Sequence, residues 1–153
     1  MDARTQFDLL ILIARARENM KILIPYDGST HSKNAALEAI DLAKKYSGSL
    51  TLLNVHWDPG ATGKYDGTEI RDQPVIKLFE DLENDLKKSG VSYELRYESD
   101  ANAPQVILNV SKEGGYDAII MGCRGLGGAR AWLLGSVSTR IAAEALCPVI
   151  IVK

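Results

Sequence analysis

The sequence predicts an α/β domain with an open, parallel, five-stranded sheet in the strand order 3-2-1-4-5 and helices on both faces, a Rossmann-like arrangement. Two observations lead to this prediction. Short apolar runs alternate with longer segments whose apolar residues recur at helical spacing. The connections between these segments are mostly short, which is typical of parallel strands joined by right-handed helical crossovers. A chain of 153 residues has room for one domain of this kind.

Five apolar runs predict the strands. The first ends at Asp27-Gly28-Ser29, whose residue types favour a tight turn. The second is apolar over most of its length, as expected of a strand that is buried on both faces of a sheet. In chain order, the five runs are residues 21–26, 50–57, 91–98, 117–121 and 148–152.

Four segments between the strands predict helices. The first carries Ala36, Ile40 and Ala43 on one helical face. The second ends at Gly90, a residue that commonly terminates helices. Pro104 suits the first turn of the third helix, where its missing N–H costs nothing. The four predicted helices cover residues 30–47, 75–90, 104–114 and 136–146.

The domain itself is expected at residues 20–153, and residues 1–19 form an N-terminal extension, either an upstream addition or a short helix that packs on the sheet or the dimer. The apolar stretch in this extension is far shorter than the ~20 residues that a membrane-spanning helix needs. Asp2 and Asp8 are inconsistent with the positive segment of a secretory signal. We therefore assign this extension no function.

Composition excludes several classes of protein. Hydrophobic residues make up 46% and charged residues 25%, as in ordinary globular proteins rather than disordered or membrane ones. Eighteen basic and twenty acidic residues give a net charge of −2, without the clustered positive charge that nucleic acid requires. Cys123 and Cys147 fit neither a disulfide framework nor a metal site. We expect a cytoplasmic protein with no nucleic-acid or membrane partner.

A glycine-rich stretch, residues 122–135, follows the fourth predicted strand and leads directly into a helix at Ser136. In an open parallel sheet, ligands bind beyond the strand ends where the strand order reverses, here between the first and fourth strands. Those strands end at Asp27 and Gly122. Glycines let backbone amides approach a phosphate closely, and a helix N-terminus attracts the same charge. The sequence therefore predicts a phosphate site in this crevice.

The helix dipole alone is too weak to hold a nucleotide, because it contributes ~0.3–1 kcal/mol while micromolar affinity needs about 8 kcal/mol. Several backbone donors and a base pocket are therefore expected as well. No Gly-Lys-Ser/Thr ending of a P-loop exists in the chain. The first strand is followed by Asp27-Gly28-Ser29 rather than by the spaced glycines of a dinucleotide-binding dehydrogenase. Both of those protein classes are set aside.

The glycine-rich stretch and the start of the following helix resemble the ATP-binding branch of the universal stress protein family. That branch is marked by a glycine, two residues, a glycine, nine residues, a glycine and then Ser or Thr. Gly122, Gly125, Gly135 and Ser136 stand at those positions. The opening strand and turn at residues 20–29 and the closing strand at 147–152 are also similar, so the resemblance covers essentially the whole domain.

The resemblance implies that the chain binds ATP. Asp27 should contact the nucleoside, and Val55 should meet adenine through its backbone. Whether Mg²⁺ accompanies the triphosphate stays open, although phosphate clusters commonly recruit it. The implied binding residues are Pro25, Asp27, Val55, Met121, Gly122, Arg124, Gly125, Gly135, Ser136, Val137 and Ser138.

The resemblance also implies a nucleotide-dependent regulator or switch in a stress response, which forms a homodimer by edge-to-edge pairing of the final strands, residues 148–152. Two other functions stay open. One is a slow ATPase or self-phosphorylating enzyme with Ser136 or Ser138 as acceptor, although no general base is evident beside the phosphates. The other is a dimerising interaction module that needs no nucleotide. We assign no catalytic and no metal-ligating residue.

Several residues have a second interpretation. Ser136 and Ser138 suit helix capping as well as phosphate binding. Arg124 and Arg130 are candidates for phosphate contact, with a solvated loop position as the alternative. Arg140 is expected to lie on the surface of the last helix. Trp132 is expected to pack on the sheet or the dimer, and residues 58–72 form either an exposed connector or a lid.

Overall fold

The computed structural model describes residues 19–57, 73–126 and 134–153. Three groups of sequence predictions lie outside these ranges: nearly all of the N-terminal extension, the connector at 58–72, and the loop residues Arg130 and Trp132. The assignments made for them stay predictions. Within the described ranges, no helix has the length and apolar character needed to cross a membrane.

The strands form one parallel sheet in the order β3-β2-β1-β4-β5, which confirms the predicted topology. β1 lies at its centre, pairing Ile22 with Leu50 on one side and with Ala118 on the other. The strands are β1 (Lys21–Pro25), β2 (Ser49–His56), β3 (Ser92–Ser99), β4 (Ala118–Gly122) and β5 (Val149–Val152).

In the parts of the chain that the structure describes, four helices connect the strands, each close to its predicted position. The last one ends at Glu144, two residues before the predicted end, because Ala145 already has an extended backbone with φ −65° and ψ 141°. The chain then enters β5 through Pro148, which cannot continue a helix. The helices are α1 (Thr30–Tyr46), α2 (Gln73–Ser89), α3 (Ala103–Gly114) and α4 (Ser136–Glu144).

The sheet separates two hydrophobic cores, and alternate residues of β1 point into each of them. Ile22 and Ile24 pack with α1 and α2 on one face. Leu23 packs on the other face with Ile107 of α3 and Ile141 of α4. The predicted placement of helices on both faces is therefore confirmed, and the four residues 50–53 of β2 are buried as expected.

The end of β4 lies against the first turn of α1. A Cβ atom built on Gly122 would lie 2.6 Å from the His31 carbonyl carbon and 2.8 Å from the Ser32 amide nitrogen. Real Cβ atoms do not approach backbone so closely, and only glycine permits this packing. Gly122 thereby brings the ends of β1 and β4 and the start of α1 together around one crevice.

Candidate functional site

A cavity of about 390 Å³ opens at the C-terminal ends of β1 and β4, within the size range of small-molecule sites. All eleven residues proposed from the sequence lie on its wall, although their role in binding stays a prediction. They are Pro25, Asp27, Val55, Met121, Gly122, Arg124, Gly125, Gly135, Ser136, Val137 and Ser138. The crevice predicted from the strand order is thus open rather than filled by the protein's own side chains.

Six of the residues that line the cavity were not predicted from the sequence. Leu53 could have been found, because it precedes Val55 by two residues and therefore points to the same face of β2. Ala103 and Ile107 are one helical turn apart on α3, so the sequence could place them on one face but not on this wall. Together with Val55 and Met121, these residues make one side of the cavity apolar. The remaining unpredicted lining residues are Tyr26, Ser32 and Leu126.

The head of α4 supplies amide donors to the same cavity. Its N-cap is Gly135, and the first backbone bond of the helix runs from the Thr139 amide to the Gly135 carbonyl at 2.9 Å. No hydrogen bond from the amides of residues 136–138 occurs within the described ranges, as expected for the first turn of a helix. The Gly135 amide donates to the Cys123 carbonyl at 2.9 Å and so fixes the helix head to the end of β4.

Neither serine of this turn caps the helix, so the capping interpretation is wrong for both. The N-cap is Gly135, and no side-chain hydrogen bond caps α4. The hydroxyl of Ser138 is buried and can donate to the Gly122 carbonyl at 2.9 Å or to the Cys123 carbonyl at 3.3 Å. Its proton is thus directed into the protein. Ser136 is exposed at the mouth of the cavity.

The carboxylate of Asp27 connects the turn after β1 to the glycine-rich loop. Its Oδ1 accepts from the Ser29 amide at 3.0 Å, and its Oδ2 accepts from the Leu126 amide at 3.2 Å. A Cβ on Gly125 would collide with the same Oδ2 atom, so a larger residue here would have to displace the Asp27 carboxylate. Among the described lining residues, Asp27 and Arg124 are the only charged groups.

Gly135 differs from Gly122 and Gly125 in its surroundings. A Cβ at this position would lie 3.5 Å from the Arg124 Cα and 3.5 Å from the Cys123 carbonyl oxygen, which are ordinary van der Waals distances. Its φ of −65° is open to any residue. No described neighbour therefore requires glycine here.

Tyr26 completes the wall beneath Asp27. It is buried, and its ring stacks on Phe79 at 5.4 Å between ring centroids. Burial raises the pKa of the Tyr26 phenol above its ordinary value, and the charges of Asp81 and Asp27 raise the pKa further. The phenol is therefore neutral at physiological pH. The side chain of Asn54 donates to the Tyr26 carbonyl at 2.8 Å and so holds the chain in place just before Asp27.

Arg140 lies on the surface of α4 as predicted, and its side chain also makes contacts that the sequence did not predict. It reaches across to the start of α3, where it donates to the side chains of Asn102 and Gln105. Cys123 is buried, which makes it a poor candidate for a reactive thiol. Within the described ranges, no three His, Cys, Asp or Glu side chains are grouped as a metal site would require.

Comparison with known proteins identifies relatives over nearly the whole chain. Residues 18–153 match the model of the universal stress protein family. The universal stress protein YxiE of Bacillus subtilis (strain 168) is 32% identical over 146 residues, which cover 87% of this chain and 98% of that protein.

Solved structures with the same fold include proteins that carry adenine nucleotides. A universal stress protein family protein from Arabidopsis thaliana with AMP bound has a TM-score of 0.61 at 24% identity, covering 88% of this chain and 90% of that one. The universal stress protein from Archaeoglobus fulgidus in complex with dAMP has a TM-score of 0.59 at 19% identity, covering 90% and 98%. At these identities the likeness shows the shared fold.

Proposed function

Because this chain belongs to the universal stress protein family, we propose that it binds ATP in the cavity beyond β1 and β4 and acts as a nucleotide-dependent regulator in a stress response. One observation carries the proposal. Residues 136–138, whose amides have no hydrogen-bond partner among the described residues, line the same cavity as the apolar residues of β2 and α3. A nucleotide has the matching division into a charged end and a planar, largely apolar end.

The charged end of the ligand would lie at the head of α4. Three amides at the positive end of a helix dipole can each donate to a phosphate oxygen, and hydrogen bonds to a charged group contribute about 1.5–3 kcal/mol apiece. Two or three such bonds supply much of the ~8 kcal/mol that micromolar affinity requires. Gly135 supports this placement, because neither its backbone angles nor its described neighbours account for a glycine here.

The base would lie against the apolar wall, where Leu53, Val55 and Ile107 can cover a planar ring. Asp27 would contact the nucleoside. Both of its carboxylate oxygens already accept backbone amides, and each has a second lone pair with which to accept from a ligand hydroxyl or amine. The carboxylate can therefore hold the loop and the ligand together.

A magnesium ion would be held mainly by the phosphates. Mg²⁺ commonly keeps several waters and binds one or two carboxylates together with substrate phosphates. Asp27 is the one carboxylate among the described lining residues, and it stands at the nucleoside end in this proposal. We therefore propose that the protein contributes little to metal binding and that ATP affinity depends only weakly on Mg²⁺.

Titration calorimetry with ATP and AMP tests the proposal on a series of variants at one position. Gly135→Ala places a methyl group at ordinary contact distances, whereas Gly135→Val fills the space at the helix head. We expect Gly135→Val to weaken ATP binding by more than about tenfold, the loss of at least one hydrogen bond to a charged group.

The matched control is Ala142→Val, which adds the same bulk to an exposed position of α4 away from the cavity. It should bind ATP like the wild-type protein. Absence of binding heat with either nucleotide, together with no nucleotide retained through gentle purification, would refute the proposal.

The same proposal includes a homodimer and a cytoplasmic location. β5 lies at the edge of the sheet with four half-exposed apolar residues, so pairing with a second copy would cover it. Cys123 and Cys147 are both unpaired thiols, which suits a reducing compartment.

A further inference from the structure

We infer that Arg140 is a positioning residue that sets the spacing between the two sides of the cavity formed by α3 and α4. The inference rests on the proposed nucleotide site. Arg140 lies outside the cavity wall. Through the spacing of α3 and α4, it decides whether one ligand can contact the apolar side and the head of α4 at the same time.

The guanidinium of Arg140 bridges the two helices with its two terminal nitrogens. Nη1 donates to Asn102 Oδ1 at 3.1 Å, and Nη2 donates to Gln105 Oε1 at 2.9 Å. Nε remains within α4 and donates to Glu144 Oε1 at 2.9 Å. A planar guanidinium fixes the directions of all three donors together, so this contact defines an orientation as well as a distance.

The bridge stands where the two sides of the cavity meet. Asn102 is the N-cap of α3, and its side chain also accepts from the Gln105 amide at 3.3 Å. The next residue, Ala103, lines the cavity. On α4, Ser136 and Val137 line the cavity one turn before Arg140. A shift of this bridge would therefore move the apolar side relative to the amides.

Helix stability alone gives a poor account of this arrangement. A cation is favoured near the C-terminal end of a helix, whereas Arg140 lies beside the N-terminus of α3, and the first turn of that helix contains no acidic residue. The arginine side chain is 36% exposed and that of Glu144 is 49% exposed, so their ion pair contributes little to global stability. The main effect of the bridge is therefore to fix the position of α3 relative to α4.

Calorimetry with AMP and adenosine tests this role on three variants. Arg140→Met removes both hydrogen bonds of the bridge and Gln105→Met removes the bond from Nη2, whereas Glu144→Gln removes only the charge of the partner within α4. We expect the two methionine variants to bind AMP about tenfold more weakly and adenosine within about twofold of the wild-type affinity. The reason is that AMP joins a base to a phosphate and needs both sides of the cavity at the right spacing, whereas adenosine has no phosphate. Glu144→Gln should bind both ligands like the wild-type protein.

Amide hydrogen exchange without nucleotide gives a second readout. In Arg140→Met, exchange in the first turns of α3 and α4 should be faster than in Glu144→Gln, because the two helix starts are no longer tied together. Unchanged AMP affinity in both methionine variants, or equal losses for AMP and adenosine, would overturn the inference. A wild-type protein that binds neither ligand would instead refute the proposed function. In that case, unchanged exchange rates in Arg140→Met would separately overturn the role of Arg140 in helix spacing.

Discussion

The three glycines of the sequence motif, Gly122, Gly125 and Gly135, have different surroundings in the structure. Gly122 is needed by the fold, because a side chain would strike the backbone of α1. Gly125 lets the loop approach the Asp27 carboxylate without displacing it. Gly135 is needed by neither, since a methyl group fits at ordinary distances. The spacing of the three in the sequence is one motif, yet only the last is explained best by a ligand.

This difference predicts unequal losses of stability for two alanine substitutions. Gly122→Ala should lower the free energy of unfolding by about 1–3 kcal/mol, the usual range for overpacking, because backbone atoms of His31 and Ser32 cannot move aside easily. Gly135→Ala should change it by less than about 0.5 kcal/mol. Urea denaturation of both variants measures the two values. Equal losses in both would show that the close approach at Gly122 is not the cause.

At the scale of single elements, the helices that start beside the cavity begin in different ways. Ser29 caps α1 by accepting from the Ser32 amide at 3.2 Å, and its hydroxyl lies 3.4 Å from the Arg124 carbonyl. Gly135 begins α4 without any side-chain bond. A side-chain cap on α4 would occupy an amide that a phosphate could use, so the uncapped start suits an anion site.

Alanine substitutions distinguish these two starts. Ser29→Ala should lower the free energy of unfolding by about 1 kcal/mol, the usual value of a serine N-cap. Ser136→Ala should leave it within about 0.5 kcal/mol of wild type, because that exposed side chain caps nothing. Thermal unfolding followed by circular dichroism measures both. A large loss in Ser136→Ala would restore the capping role that the structure contradicts.

Local sequence patterns sufficed for the strand order and for the crevice, because apolar runs, helical periodicity and turn residues are short-range signals. The resemblance to the universal stress protein family supplied the proposed site residues, and all of them line one cavity. The direction of the Ser138 hydroxyl could not be predicted, since it depends on how closely β4 approaches α4. The reach of Arg140 to Asn102 and Gln105 joins residues more than 30 positions apart, and no spacing rule encodes that contact.

At the scale of the whole molecule, the two edges of the sheet are protected to different extents. β3 carries charged residues on one face, including the ion pair between Arg96 and Glu98 at 2.7 Å. Such charges discourage pairing with another strand. β5 consists of four apolar residues, and the nearby Leu146 is 83% exposed. The β5 edge is therefore the one from which a second copy would exclude the most water.

Proline substitutions in β5 test dimerisation without removing an apolar surface. The carbonyls of Pro148 and Val152 accept from β4 at 2.9 and 2.7 Å, so the alternate residues Val149 and Ile151 direct their backbone groups outward. Ile151→Pro should leave the pairing with β4 intact and block a second strand, because proline is tolerated where its nitrogen faces away from the sheet. Sedimentation velocity should show a dimer for the wild-type protein and a monomer for this variant. Ile150→Pro, whose nitrogen faces β4, should instead lower the melting temperature. A wild-type protein that stays monomeric at all accessible concentrations would contradict the dimer.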